Sequence, residues 1–424
     1  MGGLVLWVSA LYCGPRARTG KGRGTGGAGL YPELAALGFC DGDSTALVSA
    51  VGRQCVLSPS FDLARKELAR DGLKLDVKAV HRIARRLGAQ ALTARRCDLL
   101  AWRAGQLRPG TELAGKRVGV ATDGGRMRLR RVTRKQKGKG AKKKQRRRYK
   151  AAWREPKLLI IFEMDARGRM IPGSRAWIDG TFAGPDELME LLAFHLHRLG
   201  AAQAEVVAFL SDGAPWIWER LEWVRRRVGL LRKRVAYVLD FYHAVHHVGL
   251  ALAALPLEEA ERRRTYKKLR KWLKGGSAWR VVQELERLGQ EHGKAEAVAG
   301  PVAYLNKHED SFHLEYAQLR RRGLPVGSGA IESAVRRVVN LRLKGNGLMW
   351  LEENAEAMLV LRAAALTDRW EELVEHAHAG AVRQGRLEWR WQAPDMVAQL
   401  KARVPIKPPV PQVESRPVDR RVPA

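Results

Sequence analysis

The sequence predicts an α/β protein in which short apolar strands alternate with amphipathic helices. Two β-branched apolar runs occupy Lys116–Val132 and Lys157–Met170, and a shorter one occupies Arg175–Phe182. Helical and strand patterns then alternate as far as Leu239. A length of 424 residues, 46% of them hydrophobic, gives room for two or three domains with a sizeable core.

The order of the later helices and strands indicates which α/β fold is present. A helix is predicted over Pro185–Leu199 and a strand over Ala204–Leu210. A second helix over Ala214–Val228 leads to a strand over Arg234–Leu239. Three meandering strands followed by helix, strand, helix and strand match the ribonuclease H-like topology, a mixed sheet with helices on both faces. We therefore predict an α/β, ribonuclease H-like domain.

Changes in composition predict six segments. These are a disordered, basic, Gly-rich segment (1–30), a helical domain (31–110), the first part of the sheet domain (115–244, with a basic loop at 134–150), an all-helical insertion (245–322), the closing part of the sheet domain (323–370), and a helical, then disordered, Pro-rich tail (371–424).

Two helices in the N-terminal domain predict a helix-turn-helix. The first begins after Ser60 and ends at Asp71-Gly72, and the second begins at Asp76 and ends at Gly88. The second helix is basic, so it is expected to face DNA. An ordinary helical hairpin with a solvated basic face is the alternative. The residues expected to face DNA are Lys78, His81, Arg82, Arg85 and Arg86.

The charge balance predicts a polyanionic partner. The chain has 77 Lys and Arg against 44 Asp and Glu, a formal net charge of +33, so it is expected to bind nucleic acid with an affinity that falls as salt rises. A ribosome-associated or merely basic protein is the alternative. The predicted hairpin tip carries the densest run, where a solvated charge run is the competing interpretation. Its expected phosphate contacts are Lys142, Lys143, Lys144, Arg146, Arg147 and Arg148.

Three carboxylates stand in Gly-rich or apolar contexts. Asp123 and Asp212 close predicted buried strands, and Glu332 lies in the first turn of a helical pattern. The helix dipole alone would favour a Glu there, and an Asp-Gly turn is common. Carboxylates from separate elements can, however, hold two Mg²⁺ or Mn²⁺ ions for phosphoryl transfer. The trio therefore predicts a two-metal site acting on a phosphodiester.

Asp179 competes with Asp123 for the first position of the trio. It lies only 33 residues before Asp212, too few for two further strands and a helix, whereas Asp123 lies 89 residues before it. We assign the position to Asp123 and interpret Asp179 as a turn residue that closes a strand.

The segment Gly327–Trp350 contains further candidates. Its apolar stripe runs through Val335, Val338 and Val339 and is expected to continue to Leu341. Polar residues away from this stripe are expected to hold DNA across the metals. They are Arg336, Arg337, Asn340, Arg342 and Lys344, with Trp350 after the Gly-Asn-Gly break.

The cysteines and the apolar runs bear on the cellular compartment. Cys13, Cys40, Cys55 and Cys97 form no zinc-finger spacing, which predicts free thiols in a reducing compartment. The apolar stretch Gly2–Leu11 is followed, not preceded, by basic residues and is too short to span a bilayer. We therefore expect a cytoplasmic protein that does not enter a membrane.

These motifs together resemble a known family. Asp123-Gly, Ser-Asp212-Gly-Ala-Pro-Trp-Ile-Trp, Asp240-Phe-Tyr-His243, and Gly-Ser-Gly-Ala-Ile-Glu332-Ser followed by Arg-Leu-Lys-Gly-Asn-Gly-Leu-Met-Trp350 resemble ISKra-type bacterial insertion-sequence transposases. Those enzymes belong with the Mutator-like DDE transposases. The resemblance extends from Tyr31 to about Leu366, and the occurrence of all the motifs in order makes it specific.

The resemblance implies a function. Asp123, Asp212 and Glu332 would be the catalytic and metal-binding triad with two Mg²⁺ or Mn²⁺ ions, and Asp240 with His243 would be the accompanying Asp-x-x-His signature. The enzyme would cleave the terminal inverted repeats of its element and join the 3′-OH ends to target DNA, as at least a dimer on DNA near the nucleoid. No small-molecule substrate is expected. A catalytically silent, domesticated DNA-binding protein and a nuclease or resolvase without strand transfer are the alternatives.

Overall fold

The computed structural model describes residues 42–132, 149–345 and 348–379, together with Tyr31, Glu33, Leu34 and Phe39. All of these belong to one compact unit. The predictions for residues 1–30, for the basic tip 133–148 and for the tail after 379 fall outside the described residues. Within the described part, no helix is both long enough and apolar enough to cross a membrane.

The described chain forms seven strands in two sheets. They are β1 (Arg117–Gly124), β2 (Met127–Val132), β3 (Tyr149–Arg154), β4 (Lys157–Glu163), β5 (Trp177–Thr181), β6 (Val206–Ser211) and β7 (Val235–Leu239). Five strands form a mixed sheet in the order β5-β4-β1-β6-β7, with β1 central. β4 runs antiparallel to both of its neighbours, whereas β6 and β7 run parallel to β1. The predicted α/β class is therefore confirmed.

The first predicted strand is in fact two. β1 ends at Gly124, and β2 leaves the main sheet to pair with β3 as a separate antiparallel ribbon. The break falls at Gly125, whose amide donates to the Pro156 carbonyl (2.7 Å). The second predicted strand ends earlier than expected, at Glu163. The later helix and strand predictions hold to within two residues at each end.

Helices cover both faces of the sheet. They are α1 (Thr45–Leu57), α2 (Phe61–Arg70), α3 (Val77–Arg103), α4 (Pro185–Arg198), α5 (Pro215–Val228), α6 (Phe241–Ala253), α7 (Glu259–Lys274), α8 (Ala278–Glu291), α9 (Ala295–Asp310), α10 (Tyr316–Arg321), α11 (Gly329–Val335) and α12 (Glu352–Ala365). Residues Arg336–Asn340 continue α11 as a π-helical turn. In β4, Leu158 and Ile160 face one hydrophobic cluster and Leu159 and Ile161 the other, which explains its continuous apolar run.

The N-terminal helices share the hydrophobic core of the sheet. Ser60 caps α2 as predicted, accepting from the amide of Leu63, and Asp76 caps α3, accepting from the amide of Ala79. The prediction that the second helix ends at Gly88 is wrong, since α3 continues to Arg103. Glycine is required here for another reason: a Cβ at this position would lie 2.7 Å from the Cβ of Ala357 in α12.

The predicted helical insertion contains no strand, and all of residues 245–322 are described. Its helix α9 packs against α6, which directly follows β7. This packing brings the insertion next to the strand ends that carry Asp212 and Asp240, so it contributes to the candidate site.

The close approach of α3 and α12 can be tested by Gly88→Ala. An added methyl must displace Ala357, so we expect a loss of about 1–3 kcal/mol in the free energy of unfolding. Gly249 in α6 is the control, because its added methyl would only reach ordinary contact with Tyr266 at 3.7 Å. There Ala should stabilise by up to about 1 kcal/mol. Urea denaturation measures both; equal effects would contradict the packing argument.

Candidate active site

Three elements bring the predicted trio to one edge of the sheet. Asp123 is the penultimate residue of β1, and Asp212 directly follows β6, the parallel neighbour of β1. Glu332 lies in the first turn of α11, which packs against β1 and β4. The carboxyl ends of two parallel strands and the start of one helix therefore meet at this edge.

The electrostatics of Asp123 show that the carboxylates interact. Burial raises the pKa of Asp123 to about 6, and the charges of Asp212 and Glu332 contribute to this rise. The Gly124 amide, which donates to Asp123 Oδ1 (2.6 Å), and the nearby His243 oppose it. The charges of Asp212, Glu332 and His243 therefore all act on Asp123. Burial and the two neighbouring carboxylates make the ionised form of Asp123 less favourable than it is in water.

The loop that carries Asp212 has little freedom. Asp212 Oδ1 accepts from the Ala214 amide (3.0 Å) and from Ser211 Oγ (3.3 Å). Gly213 has a φ of +84°, and a Cβ there would lie 2.2 Å from the hydroxyl oxygen of Tyr304. That hydroxyl, on α9 of the helical insertion, donates to the Asp212 carbonyl oxygen (2.7 Å). The insertion therefore holds the Asp212 turn from outside the sheet.

A stack of rings supports Tyr304. The His247 ring stacks on it with centroids 3.6 Å apart, and Trp218 stacks on His313 at 4.1 Å. His308 lies between the two pairs, with its Nδ1 3.1 Å from Nδ1 of His313. Burial lowers the pKa of His308 to about 4 and that of His313 to about 3. Both imidazoles are therefore neutral at neutral pH and support the turn by packing and hydrogen bonding, without positive charge.

Asp240 connects the elements of the site. Its carboxylate is fully buried and accepts from the amides of His243 (2.9 Å) and Ser328. Its own amide donates to the carbonyl of Ser211 (2.8 Å), the residue before Asp212. One residue thus caps α6, holds the turn that begins the Glu332 helix, and fixes the end of β6.

The predicted signature pair has two different environments. Asp240 is a buried structural acceptor, whereas His243 is half-buried and close enough to Asp123 to lower its pKa. Tyr304 and Ser328 were missed from the sequence. Tyr304 lies 92 residues from Asp212 within an insertion, and no local pattern joins them.

The trio fits a divalent cation by its chemistry. Three carboxylates from three elements supply the hard oxygen donors that Mg²⁺ and Mn²⁺ prefer, and their mutual repulsion at Asp123 is what a cation would relieve. Among the described residues, no three His, Cys, Asp or Glu side chains already stand in a metal-binding arrangement. Glu332 is exposed, with Oε1 held by Ser328 Oγ (3.3 Å). The metal ions remain a prediction.

The structure separates the predicted DNA-contact residues of α3. Lys78, Arg82 and Arg85 are exposed. Arg86 instead points inward, with 15% of its side chain exposed, and pairs with Asp43 (2.5 Å). It therefore stabilises the N-terminal helices and does not face solvent as predicted.

The residues predicted around the Glu332 helix also divide. Arg336 and Lys344 are exposed, and Arg337 and Asn340 are half-buried. Arg342 is buried, against prediction; it donates to the Cys55 carbonyl (3.3 Å) and its guanidinium lies over the rings of Phe61 and Trp350. Burial lowers its pKa to about 10. Trp350 is half-buried, and Leu341 is 60% exposed because the π-helical turn shifts the register of the apolar stripe.

The interpretation of Asp179 as a turn residue is wrong. Asp179 lies inside β5, is buried, and binds Arg95 (2.7 Å) and His195 (2.8 Å). The charge of Arg95 and these hydrogen bonds outweigh burial and lower its pKa to about 2. It lies on the edge strand, separated from β6 by β4 and β1, which leaves the first position of the trio to Asp123.

The described cysteines are Cys55 and Cys97, and neither forms a disulfide. Cys55 is buried, which raises its pKa to about 12, and Cys97 is exposed. Cys13 and Cys40 lie outside the described residues. The predicted free thiols are thus observed for the two cysteines that the structure describes.

Comparison with known proteins places the chain in a family. Residues 145–377 match the model of the uncharacterised protein family UPF0236, which covers more than half of the chain. The chain belongs to this family. The match contains Asp212, Asp240 and Glu332 but begins after Asp123. No curated protein and no solved structure matches the chain.

Asp123 should make stability depend on pH. Its pKa is higher in the folded chain than its ordinary 3.8, so ionisation between about pH 4 and pH 6 destabilises the fold, and the loss persists at higher pH. In EDTA at pH 7.5, Asp123→Asn should therefore raise the free energy of unfolding by about 1–2 kcal/mol, allowing for partial exposure.

At pH 4 this gain should disappear, and urea denaturation at the two pH values measures it. Asp165→Asn is the control of opposite sign, because hydrogen bonds from Arg169 lower the pKa of Asp165. If Asp123→Asn proves less stable than wild type at pH 7.5, the argument is contradicted.

Asp240→Ala should be much more damaging than the loss of an ordinary helix cap. It leaves the His243 and Ser328 amides without their acceptor, so we expect a loss of about 2–4 kcal/mol. Asp76→Ala removes only the exposed cap of α3, worth about 1 kcal/mol. Denaturation of both variants, with hydrogen exchange at the Ser328 amide, measures the difference. Equal losses would show that Asp240 is only a cap.

Proposed function

We propose that this protein is a DDE transposase that cleaves the ends of its insertion sequence and joins the 3′-OH ends to target DNA. The observation that carries the proposal is that β1, β6 and α11 bring Asp123, Asp212 and Glu332 to one edge of the sheet. Separate elements supply the three carboxylates, and the net charge of +33 favours a polyanionic substrate.

The strand order supports a ribonuclease H-like assignment of the sheet. That fold carries its first acidic residue on a central first strand, its second at the end of the fourth strand, and its glutamate on a later helix. Here Asp123 lies on central β1, and Asp212 follows β6, the fourth strand of the main sheet along the chain. Glu332 follows on α11. The five strands form a mixed sheet, as that topology requires.

The chain's own residues would prepare the site for a phosphodiester. Asp123, Asp212 and Glu332 would hold Mg²⁺ or Mn²⁺, which when bound in pairs supply activation of an attacking oxygen and stabilisation of the leaving 3′ oxygen. Asp240 and Tyr304 fix the two turns that carry Asp212 and Glu332. We further propose that at least two subunits act on the terminal repeats.

The proposal predicts metal-dependent cleavage of DNA from the ends of the element, identified as inverted repeats flanking the reading frame. Wild type with Mg²⁺ or Mn²⁺ should nick such duplexes and join a precut 3′ end to a second duplex. Asp123→Asn, Asp212→Asn and Glu332→Gln should each lower the rate by about 10³-fold or more, roughly 4 kcal/mol of transition-state stabilisation. Asp165→Asn is the matched control.

The products separate the competing functions. Binding without cleavage by wild type would favour a domesticated DNA-binding protein, and cleavage without joining would favour a nuclease or resolvase. Full cleavage by the triad variants would overturn the assignment of the active site.

A further inference from the structure

The ribbon formed by β2 and β3 has two unlike faces. In β2, Met127 and Leu129 are buried, whereas Arg128 and Arg130, together with Arg126 just before the strand, are exposed. The antiparallel register places Arg128 opposite Trp153, and Arg130 opposite Ala151. The outward side, which we call the arginine face, is defined by Arg126, Arg128, Arg130, Tyr149, Ala151 and Trp153.

Aromatic rings organise the arginine face. The guanidinium carbons of Arg126 and Arg128 lie 4.9 Å and 5.7 Å from the ring centroid of Trp153, and that of Arg130 lies 4.2 Å from the ring of Tyr149. Both rings are largely exposed, at 54% for Trp153 and 44% for Tyr149. A guanidinium group stacked on a ring keeps its N–H donors free at the ring edge. The rings therefore orient the arginines without occupying their hydrogen-bond donors.

The charges of the arginine face are not neutralised by the described residues. None of its three arginines has a described carboxylate within 4.0 Å, whereas Arg154, on the other face, pairs with Glu352 (3.2 Å). From Arg126 to Arg154, both included, the sequence contains 16 Lys and Arg and no Asp or Glu. Like charges at this density repel one another, and a polyanion along the ribbon would relieve the repulsion.

The ribbon is fixed to the candidate active site. Only two glycines separate Asp123 from Arg126. On the other side, the Arg130 amide donates to the Trp350 carbonyl (2.6 Å), and Trp350 follows the segment that carries Glu332. The missing Cβ of Gly125 also faces Val335 of α11 at 3.6 Å. A polyanion on the arginine face would therefore pass beside the carboxylates.

We propose that the arginine face binds the sugar–phosphate backbone of duplex DNA next to the phosphodiester that the carboxylates act on. Only the position of that phosphodiester rests on the proposed function; binding of the backbone does not. Alternate residues of a strand lie about 7 Å apart, so three arginines span about 14 Å of the duplex. Their spacing along one strand suits successive phosphate contacts, which position DNA without reading its sequence.

The test is a triple variant, Arg126→Gln, Arg128→Gln and Arg130→Gln, in the full chain. Binding to two fluorescein-labelled 30-bp duplexes of unrelated sequence is measured in EDTA over a salt series. Loss of three phosphate contacts should weaken binding about 10- to 100-fold at intermediate salt and reduce the slope of log affinity against log salt by about 3. Both duplexes should be affected equally.

The matched control removes the same charge from exposed positions of α7: Arg264→Gln, Lys267→Gln and Lys271→Gln. Its salt slope should change by less than about 1. A second variant, Ala151→Glu, adds a carboxylate to the arginine face without removing any side chain and should weaken binding as well. Equal effects of the two triple variants, or no effect of Ala151→Glu, would overturn the proposal.

Other outcomes overturn particular parts of it. Losses that differ between the two duplexes would replace backbone contact with base readout. The binding assay needs no metal and no catalysis. If the arginine-face variant loses binding but wild type cleaves no DNA, this inference stands and the proposed function fails. If wild type cleaves DNA but the arginine-face variant binds normally, the proposed function stands and this inference fails.

Discussion

The buried carboxylate of Asp240 is the interaction on which the candidate site depends. It accepts from the amides of His243 and Ser328, and the residue's own amide holds the Ser211 carbonyl. The end of β6, the start of α6 and the turn before α11 are therefore tied at one point. A buried carboxylate is costly unless it is fully hydrogen-bonded, so these three backbone segments cannot move apart independently.

A second constraint is the repulsion of Asp123 by Asp212 and Glu332, whose segments Asp240 ties together. The hydrogen bonds of Asp240 hold the segments that carry Asp212 and Glu332 close to Asp123. Burial of Asp123 already disfavours its charge. The Gly124 amide and His243 oppose this repulsion, and Tyr304 holds the Asp212 turn from outside the sheet. The site thus concentrates negative charge on a chain that is otherwise strongly positive, an arrangement suited to a cation between protein and polyanion.

Much of the architecture follows from local patterns in the sequence. Continuous apolar runs marked β1, β4 and β6, and Ser60 and Asp76 marked helix starts, because these signals arise from the residues themselves. Local patterns failed where a distant partner decides the outcome. Gly88 resembles a helix end but fits against Ala357, and Asp179 resembles a turn residue but binds Arg95 and His195.

For the site, the sequence determined which carboxylates follow strand ends or open a helix, and so it singled out Asp123, Asp212 and Glu332. Only the tertiary structure decided that they interact, that Arg86 and Arg342 turn inward, and that Tyr304 reaches Asp212 from the insertion. It also decided that the arginine face is exposed and, among the described residues, without carboxylate partners. The physical reason is that burial and charge pairing depend on neighbours brought together by folding, whereas strand and helix patterns depend on residues a few positions apart.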